Sequence, residues 1–165
     1  MANLKANLKR RLEGAGRVAV LAVGSGLRGD DAAGLLAAEE LEKVLRDRVA
    51  RARFAIFVGD TAPENLTGEI RKFQPTHLII VDAADVGRKP GHVELLDPDV
   101  LTHNPSASTH SLPFSVLVTY LRGFFPFAAV VIGIQPSVRG FGKRPSREVR
   151  RAAKRVAALV AGALD

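Results

Sequence analysis

Four short apolar segments, many of their residues β-branched, dominate the hydrophobic pattern of the chain. They contain too few polar positions to alternate, which is typical of strands covered on both faces of a sheet. We therefore predict four such buried strands, beginning at Arg17, Arg53, His77 and Ala128. A fifth strand, from His92, follows the third after a turn-rich stretch too short for a helical crossover, so we place it antiparallel at an edge.

Segments with apolar residues at helical spacing separate most of these strands. One runs over residues 30–49 with Asp30 as its N-cap, and the others begin close to Pro63, Ser111 and Ser146. An amphipathic helix is also expected at the N-terminus. This order predicts a single domain over residues 1–165 of the α/β class. Its architecture is a three-layer α/β/α sandwich around a mostly parallel, about five-stranded sheet.

The composition limits the possible catalytic groups and metal ligands, but it says less about the fold. The chain has no cysteine, which excludes disulfides, thiolate nucleophiles and sulfur-ligated zinc, and leaves carboxylates and four histidines as metal ligands. Much of the net charge of +7 falls on one face of the last helix without interleaved aromatic residues, so we expect no nucleic-acid partner. No apolar run approaches the ~20 residues of a membrane helix. We therefore expect a soluble, cytoplasmic protein with no membrane partner.

Three polar segments follow or precede the predicted elements where the carboxyl ends of the strands meet. They are "GSGLRGDD" after the first strand, "VDAADVG" at the end of the third, and "SASTHSLP" before a helix. Sites in open α/β sheets form at such ends, at the topological switch point. Asp82 closes an apolar run, where a carboxylate is costly unless it is hydrogen-bonded, paired or metal-bound. Its alternative role is to cap a neighbouring loop or helix.

The stretch Gly24–Gly29 has the literal spacing of a dinucleotide-binding loop. Two aspartates, Asp30 and Asp31, follow at the helix start, where their charge would repel a phosphate. The acidic residue expected about 20 positions later is also misplaced, since Asp60 comes too late. A nucleotide-binding module that uses these glycines stays an alternative hypothesis. A hydrolase of related fold acting on RNA-linked substrates is another.

The same placement suits a cation better than a phosphate. By the usual cap position, we assign Asp30 to capping the helix and Asp31 to the crevice. With Asp82 and His110, Asp31 would offer two oxygens and one nitrogen, a set that suits nickel, iron, manganese or zinc with open coordination positions. The remaining histidines are interpreted as structural: His77, His92 and His103.

Four motifs together carry a resemblance to a known family. In order and spacing, "GSGLRGDDAAG", "VDAADVGRKPG", "STHSLP" and "GIQP" resemble the NiFe-hydrogenase maturation endopeptidases, most closely the branch that processes hydrogenase 3-type large subunits. The resemblance extends from about Val18 to the C-terminal helix. The chain departs from the family at Ser25, where an asparagine is usual, and at Ala32, where a glycine often follows the acidic pair.

The resemblance implies a function and a site. Asp31, Asp82 and His110 match the family's nickel-contacting and catalytic residues. The implied activity is removal of a C-terminal extension from the precursor of a NiFe-hydrogenase large subunit, after nickel has been inserted there. The nickel would then arrive with the substrate, and no organic cofactor is expected. The implied partner is that precursor.

Overall fold

A five-stranded sheet lies between two layers of helices in the computed structural model, which describes residues 2–46, 53–99 and 113–164. The strands are β1 (Arg17–Val23), β2 (Arg53–Asp60), β3 (His77–Ala83), β4 (Val93–Leu96) and β5 (Ala128–Ile134). Their order in the sheet is β2-β1-β3-β5-β4. Neighbouring strands are parallel except β4, which runs antiparallel to β5 at an edge. The predicted fold class is therefore confirmed.

The described residues form five α-helices, which divide between the two faces of the sheet. They are α1 (Ala2–Arg11), α2 (Ala33–Leu45), α3 (Thr67–Phe73), α4 (Phe114–Arg122) and α5 (Arg147–Leu164). Alternate residues of a strand point to opposite faces, so each central strand contributes to two separate cores. Val20 and Ile79 pack with the layer of α1, α2 and α5, whereas Leu21 and Ile80 pack with α3 and α4.

The prediction that all four parallel strands are buried on both faces is wrong for β2. This strand forms the edge beside β1, and most of its residues are half-buried or exposed. Phe54 and Ile56 still pack on one face and Phe57 on the other. An apolar run therefore reports that helices cover both faces, but it does not distinguish an edge strand from a central one.

Helices α2 and α3 begin later than predicted, because a 3₁₀ turn precedes each of them; before α3 this turn is Pro63–Leu66. A 3₁₀ turn, Asp30–Ala32, precedes α2, and the N-cap position of α2 is Ala32, with no capping hydrogen bond from a side chain. The predicted capping role of Asp30 is therefore wrong. Helix α4 begins at Phe114 with Pro113 at its N-cap, and the predicted start at Ser111 lies outside the described residues.

The basic face predicted for the last helix is confirmed. Helix α5 buries Val149, Ala152 and Val156 against the core, and its basic side chains lie mostly on the exposed side. One of them, Arg155, donates a hydrogen bond to the carbonyl of Gly91 at 2.6 Å. Across the described parts of the chain, no helix is both long enough and apolar enough to cross a bilayer.

Gly34 sets how closely α2 approaches the sheet. A Cβ at this position would lie against the carbonyl oxygens of Val23 and Val81, so a side chain would push α2 away from β1 and β3. We expect Gly34→Ala to lower the free energy of unfolding by about 1–3 kcal/mol, measured by urea denaturation. Gly68→Ala is the matched control, because a Cβ there meets nothing within 4 Å. Equal stability of the two variants would contradict this account.

Candidate active site

The switch point of the sheet lies between β1 and β3, since the chain leaves β1 for β2 on one side and returns to β3 on the other. Asp31 lies in the 3₁₀ turn after β1, and this turn packs against β3. Asp82 lies near the carboxyl end of β3, opposite Gly133 of β5. The structure thus brings two predicted site residues, Asp31 and Asp82, to the ends of adjacent strands.

The third predicted site residue, His110, lies outside the described residues. The described chain resumes at Pro113 and enters α4, whose layer covers the face of β3 that carries Leu78 and Ile80. Asp82 belongs to the same alternate set of β3 positions as these two residues. A place for His110 beside Asp82 therefore stays a prediction that the observed chain path allows.

The glycine-rich loop folds around the backbone of Asp31. The Gly24 N–H donates to the carbonyl of Asp60 at 2.9 Å, and the Ser25 N–H donates to the carbonyl of Asp31 at 3.0 Å. Gly24 has φ +151°, and a Cβ there would lie against the Asp31 carbonyl. These amides are used within the protein, so they are not free to cradle a phosphate. The departure at Ser25 leaves this turn intact, because the turn uses only the backbone of that residue.

Asp30 is a structural cross-link. Its side chain is fully buried, and Oδ2 accepts hydrogen bonds from the N–H groups of Ser137 and Val138, both at 2.7 Å. Oδ1 accepts from the N–H of Ser146 at 2.6 Å. Ser146 in turn caps α5, since its Oγ accepts from the N–H of Val149 at 3.2 Å. The carboxylate therefore fixes the loop after β5 and the start of α5, instead of capping α2.

Asp31 is held quite differently from its neighbour. Only 7% of the residue is exposed and Oδ1 is buried, yet this oxygen accepts no hydrogen bond from the described residues. Two guanidinium groups balance its charge: Arg28 Nε lies 3.5 Å from Oδ2 and Arg139 Nε lies 3.7 Å from Oδ1. Both distances exceed the usual range of a hydrogen bond. The carboxylate thus keeps its coordinating capacity, as a metal ligand or general base requires.

Gln135, in the "GIQP" motif, organises the loop that follows Asp82. Its Oε1 accepts from the N–H groups of Val86 and Arg88 at 2.9 and 3.1 Å, and its Nε2 donates to Asp85 Oδ1 at 3.2 Å. This bond, together with the N–H of Gly87, lowers the pKa of Asp85. Gln135 is not among the site residues predicted from the sequence. The available signal was a polar residue directly after an apolar strand.

The two described histidines, His77 and His92, make polar contacts that do not involve Asp31 or Asp82. His77 is at the amino end of β3, with Nδ1 3.1 Å from Thr76 Oγ1, and burial lowers its pKa. His92 precedes β4 and faces Glu94, with Nε2 3.6 Å from Oε2. Their structural interpretation agrees with these positions, whereas His103 lies outside the described residues. Within 2–46, 53–99 and 113–164, no three His, Cys, Asp or Glu residues could hold a metal ion together.

The fold and the two buried aspartates define a doubly wound α/β protein whose switch point suits a cation or a water better than a phosphate. The family model described as HycI, hydrogenase maturation protease, matches residues 36–163. The hydrogenase 3 maturation protease of Escherichia coli K12 is 35% identical over 122 residues, which are 74% of each chain. A putative hydrogenase maturation protease of Methanocaldococcus jannaschii is 28% identical over 84% of this chain and 83% of its own.

Solved structures agree with these relatives. The [NiFe] hydrogenase maturation protease HycI from Thermococcus kodakarensis superposes with a TM-score of 0.85 at 32% identity, covering 96% of this chain and 98% of its own. The E. coli hydrogenase maturating endopeptidase HybD superposes with a TM-score of 0.71 at 27% identity, covering 87% and 89%.

The chain belongs to the HycI hydrogenase maturation protease family. It is an endopeptidase of hydrogenase maturation, which confirms the class of enzyme predicted from the four motifs. The comparisons give no support to a nucleotide-binding module or to a hydrolase of RNA-linked substrates.

Proposed function

We propose that this endopeptidase removes the C-terminal extension of a NiFe-hydrogenase large-subunit precursor after nickel has been inserted there. Asp31, Asp82 and His110 are the residues that contact this nickel and align the scissile peptide. The metal belongs to the substrate, so the protein needs no resident cofactor. The family membership and the carboxylates at the switch point support this proposal.

The observation that carries the proposal is the state of the Asp31 carboxylate. It is more than nine-tenths buried, and one of its oxygens accepts no hydrogen bond from the described residues. A buried polar atom in this state is costly, and such costs are typical of functional sites. A cation or a water supplied with the substrate would satisfy this oxygen.

The donor set suits a metal that comes with other ligands attached. Two carboxylates and one imidazole are acceptable donors for nickel and leave positions open. Because the chain has no cysteine, any thiolate on the metal would come from the precursor. A site of this kind recognises a loaded precursor and discriminates against an empty one, since the empty one cannot bridge the three residues.

The chemistry we propose is hydrolysis by an activated water. A carboxylate of Asp31 or Asp82 orients the water and accepts a proton from it as the oxygen attacks the scissile carbonyl carbon. The proton then passes to the leaving amine as the C–N bond breaks, which releases the extension with a free amino group. Nickel bound in the precursor would be recognised by Asp31, Asp82 and His110, and it would supply Lewis acidity to the reaction.

The test is processing of a large-subunit precursor followed by intact-mass analysis. We expect loss of a C-terminal peptide from the nickel-loaded precursor and an at least tenfold slower loss from the same precursor without nickel, as expected for an interaction worth at least about 1.4 kcal/mol. Asp82→Asn should abolish the difference between the two precursors. Equal processing of loaded and empty precursor by the unmodified protein would contradict the nickel-dependent part of the proposal. No processing of the cognate loaded precursor would contradict the whole.

A further inference from the structure

Exposed apolar side chains cluster on two loops beside Asp31. Leu27, in the loop after β1, is 63% exposed, and Phe141, in the loop after β5, is 76% exposed. Val138 in the second loop is also exposed. Large apolar side chains grouped on a surface commonly mark an interaction site.

Backbone hydrogen bonds join the two loops into one unit. The N–H of Gly142 donates to the carbonyl of Leu27 at 2.9 Å, and the N–H of Gly29 donates to the carbonyl of Lys143 at 3.1 Å. The N–H of Asp30 donates to the carbonyl of Val138 at 2.7 Å. A binding surface held in place by such bonds loses little conformational entropy when a partner docks. We call this unit the lip and define it by Leu27, Arg28, Val138, Arg139, Phe141 and Lys143.

The lip is continuous with the catalytic carboxylate. Arg28 and Arg139, one from each loop, are the two residues whose guanidinium groups lie 3.5 and 3.7 Å from Asp31. A chain lying across the lip would therefore lie next to the two arginines that contact Asp31. The surface and the reaction centre share residues, so the natural occupant of the lip is the substrate.

The charge of the lip defines the chemistry of this occupant. Arg28, Arg139 and Lys143 are exposed cations, whereas Asp30 and Asp31, which follow the first loop, are buried. Asp31 offsets one of the two guanidinium charges beside it, and the exposed carboxylate of Asp85 also acts on Arg139. Lys143 is within salt-bridge distance of no carboxylate among the described residues, so it contributes most to the charge that a partner meets. A partner that matches this surface combines acidic with apolar side chains. Opposite charges would also speed and orient docking.

We propose that the lip binds an acidic, apolar segment of the large-subunit precursor, next to the bond that is cut. Phe141 and Leu27 are the apolar anchors and Lys143 contributes to the charge match. This inference rests on the proposed function for the identity of the substrate. It adds the surface that binds the substrate and the kind of side chains, acidic and apolar, that this surface recognises.

The test measures precursor affinity and cleavage kinetics separately. We expect Phe141→Ser to raise Kd and KM about tenfold, as for a central interface anchor, with kcat changed less than twofold. Leu27→Ser should act in the same direction. Val116→Ser is the matched control, since Val116 is also an exposed apolar residue, 49% exposed, but lies on α4. Unchanged affinity in both lip variants, or an equal loss in the control, would overturn the lip.

Charge reversal gives a second, independent readout. We expect Lys143→Glu to weaken precursor binding and to reduce its dependence on salt between about 50 and 200 mM, because screening acts on the attraction that the variant removes. Lys72→Glu, on α3, is the control and should leave both unchanged. Binding that depends on the lip without any cleavage would contradict the proposed function but support the lip. Cleavage with affinity and salt dependence unchanged in all lip variants would support the proposed function and overturn the lip.

Discussion

Asp31→Asn is expected to slow precursor processing by about 10²–10⁴-fold, the range typical for loss of a general base. Asparagine has nearly the same shape, so it preserves the packing of the turn but removes the charge and the basic oxygen. Because Arg28 and Arg139 are substantially exposed, water can solvate them once the carboxylate is lost. The melting temperature should therefore change by less than about 3 °C, or about 1 kcal/mol for a chain of this size.

The measurement is single-turnover processing of the nickel-loaded precursor, with thermal unfolding of the same samples. Asp60→Asn is the matched control, since Asp60 is an exposed carboxylate at the end of the neighbouring strand β2. Its φ of +46° is a conformation that asparagine tolerates. We expect the control to process at the normal rate. Processing by Asp31→Asn at a rate within threefold of the unmodified protein would show that this carboxylate is not catalytic.

The central strands could be predicted from sequence because their burial is visible in their composition. β1, β3 and β5 begin where the apolar runs at Arg17, His77 and Ala128 begin. The antiparallel edge strand followed from the short connection before it. The position of β2 at the other edge could not be predicted, since an apolar run reflects cover from helices above and below and not the presence of a neighbouring strand.

Part of the site followed from topology. The rule that sites form at the carboxyl ends of parallel strands selected Asp31 and Asp82, and the structure places both there at adjacent strands. The assignment of His110 stays a prediction. The role of Asp30 was missed because its three donors lie 107, 108 and 116 positions away along the chain. Local cap preferences carry no information on hydrogen bonds of that kind.

The two adjacent aspartates therefore make different contacts, and only the fold distinguishes them. The Asp30 carboxylate accepts hydrogen bonds from backbone amides, whereas Oδ1 of Asp31 accepts none from the described residues. Asp30 also joins the two loops of the lip from beneath, because its own N–H and its side chain both reach the loop after β5. Correct placement of Arg139 near Asp31 depends on this link. The geometry of the lip and the stability of the fold are thus coupled through one side chain.

Asp30→Ala is expected to lower the free energy of unfolding by about 2–5 kcal/mol. The variant leaves three backbone N–H groups without their acceptor, at roughly 1–3 kcal/mol for each that stays buried, and the partly exposed ones recover some of this by bonding to water. For a chain of this length, the melting temperature should fall by roughly 5–15 °C. Asp30→Asn keeps one acceptor oxygen, so its free energy of unfolding should lie between those of the unmodified protein and of Asp30→Ala.

Hydrogen exchange distinguishes this mechanism from a general loss of packing. In both Asp30 variants, the amides of Ser137, Val138 and Ser146 should exchange faster, whereas those of Ile79 and Ile80 in the sheet should respond only to the overall loss of stability. Asp31→Asn is the control and should leave all five amides unchanged. A shift in melting temperature below about 2 °C for Asp30→Ala, or unchanged exchange at the three donors, would show that the buried carboxylate does not hold the loop after β5. If the prediction holds, processing by Asp30→Ala should also become slower at low precursor concentration, because the variant disturbs the lip but leaves the carboxylate of Asp31 in place.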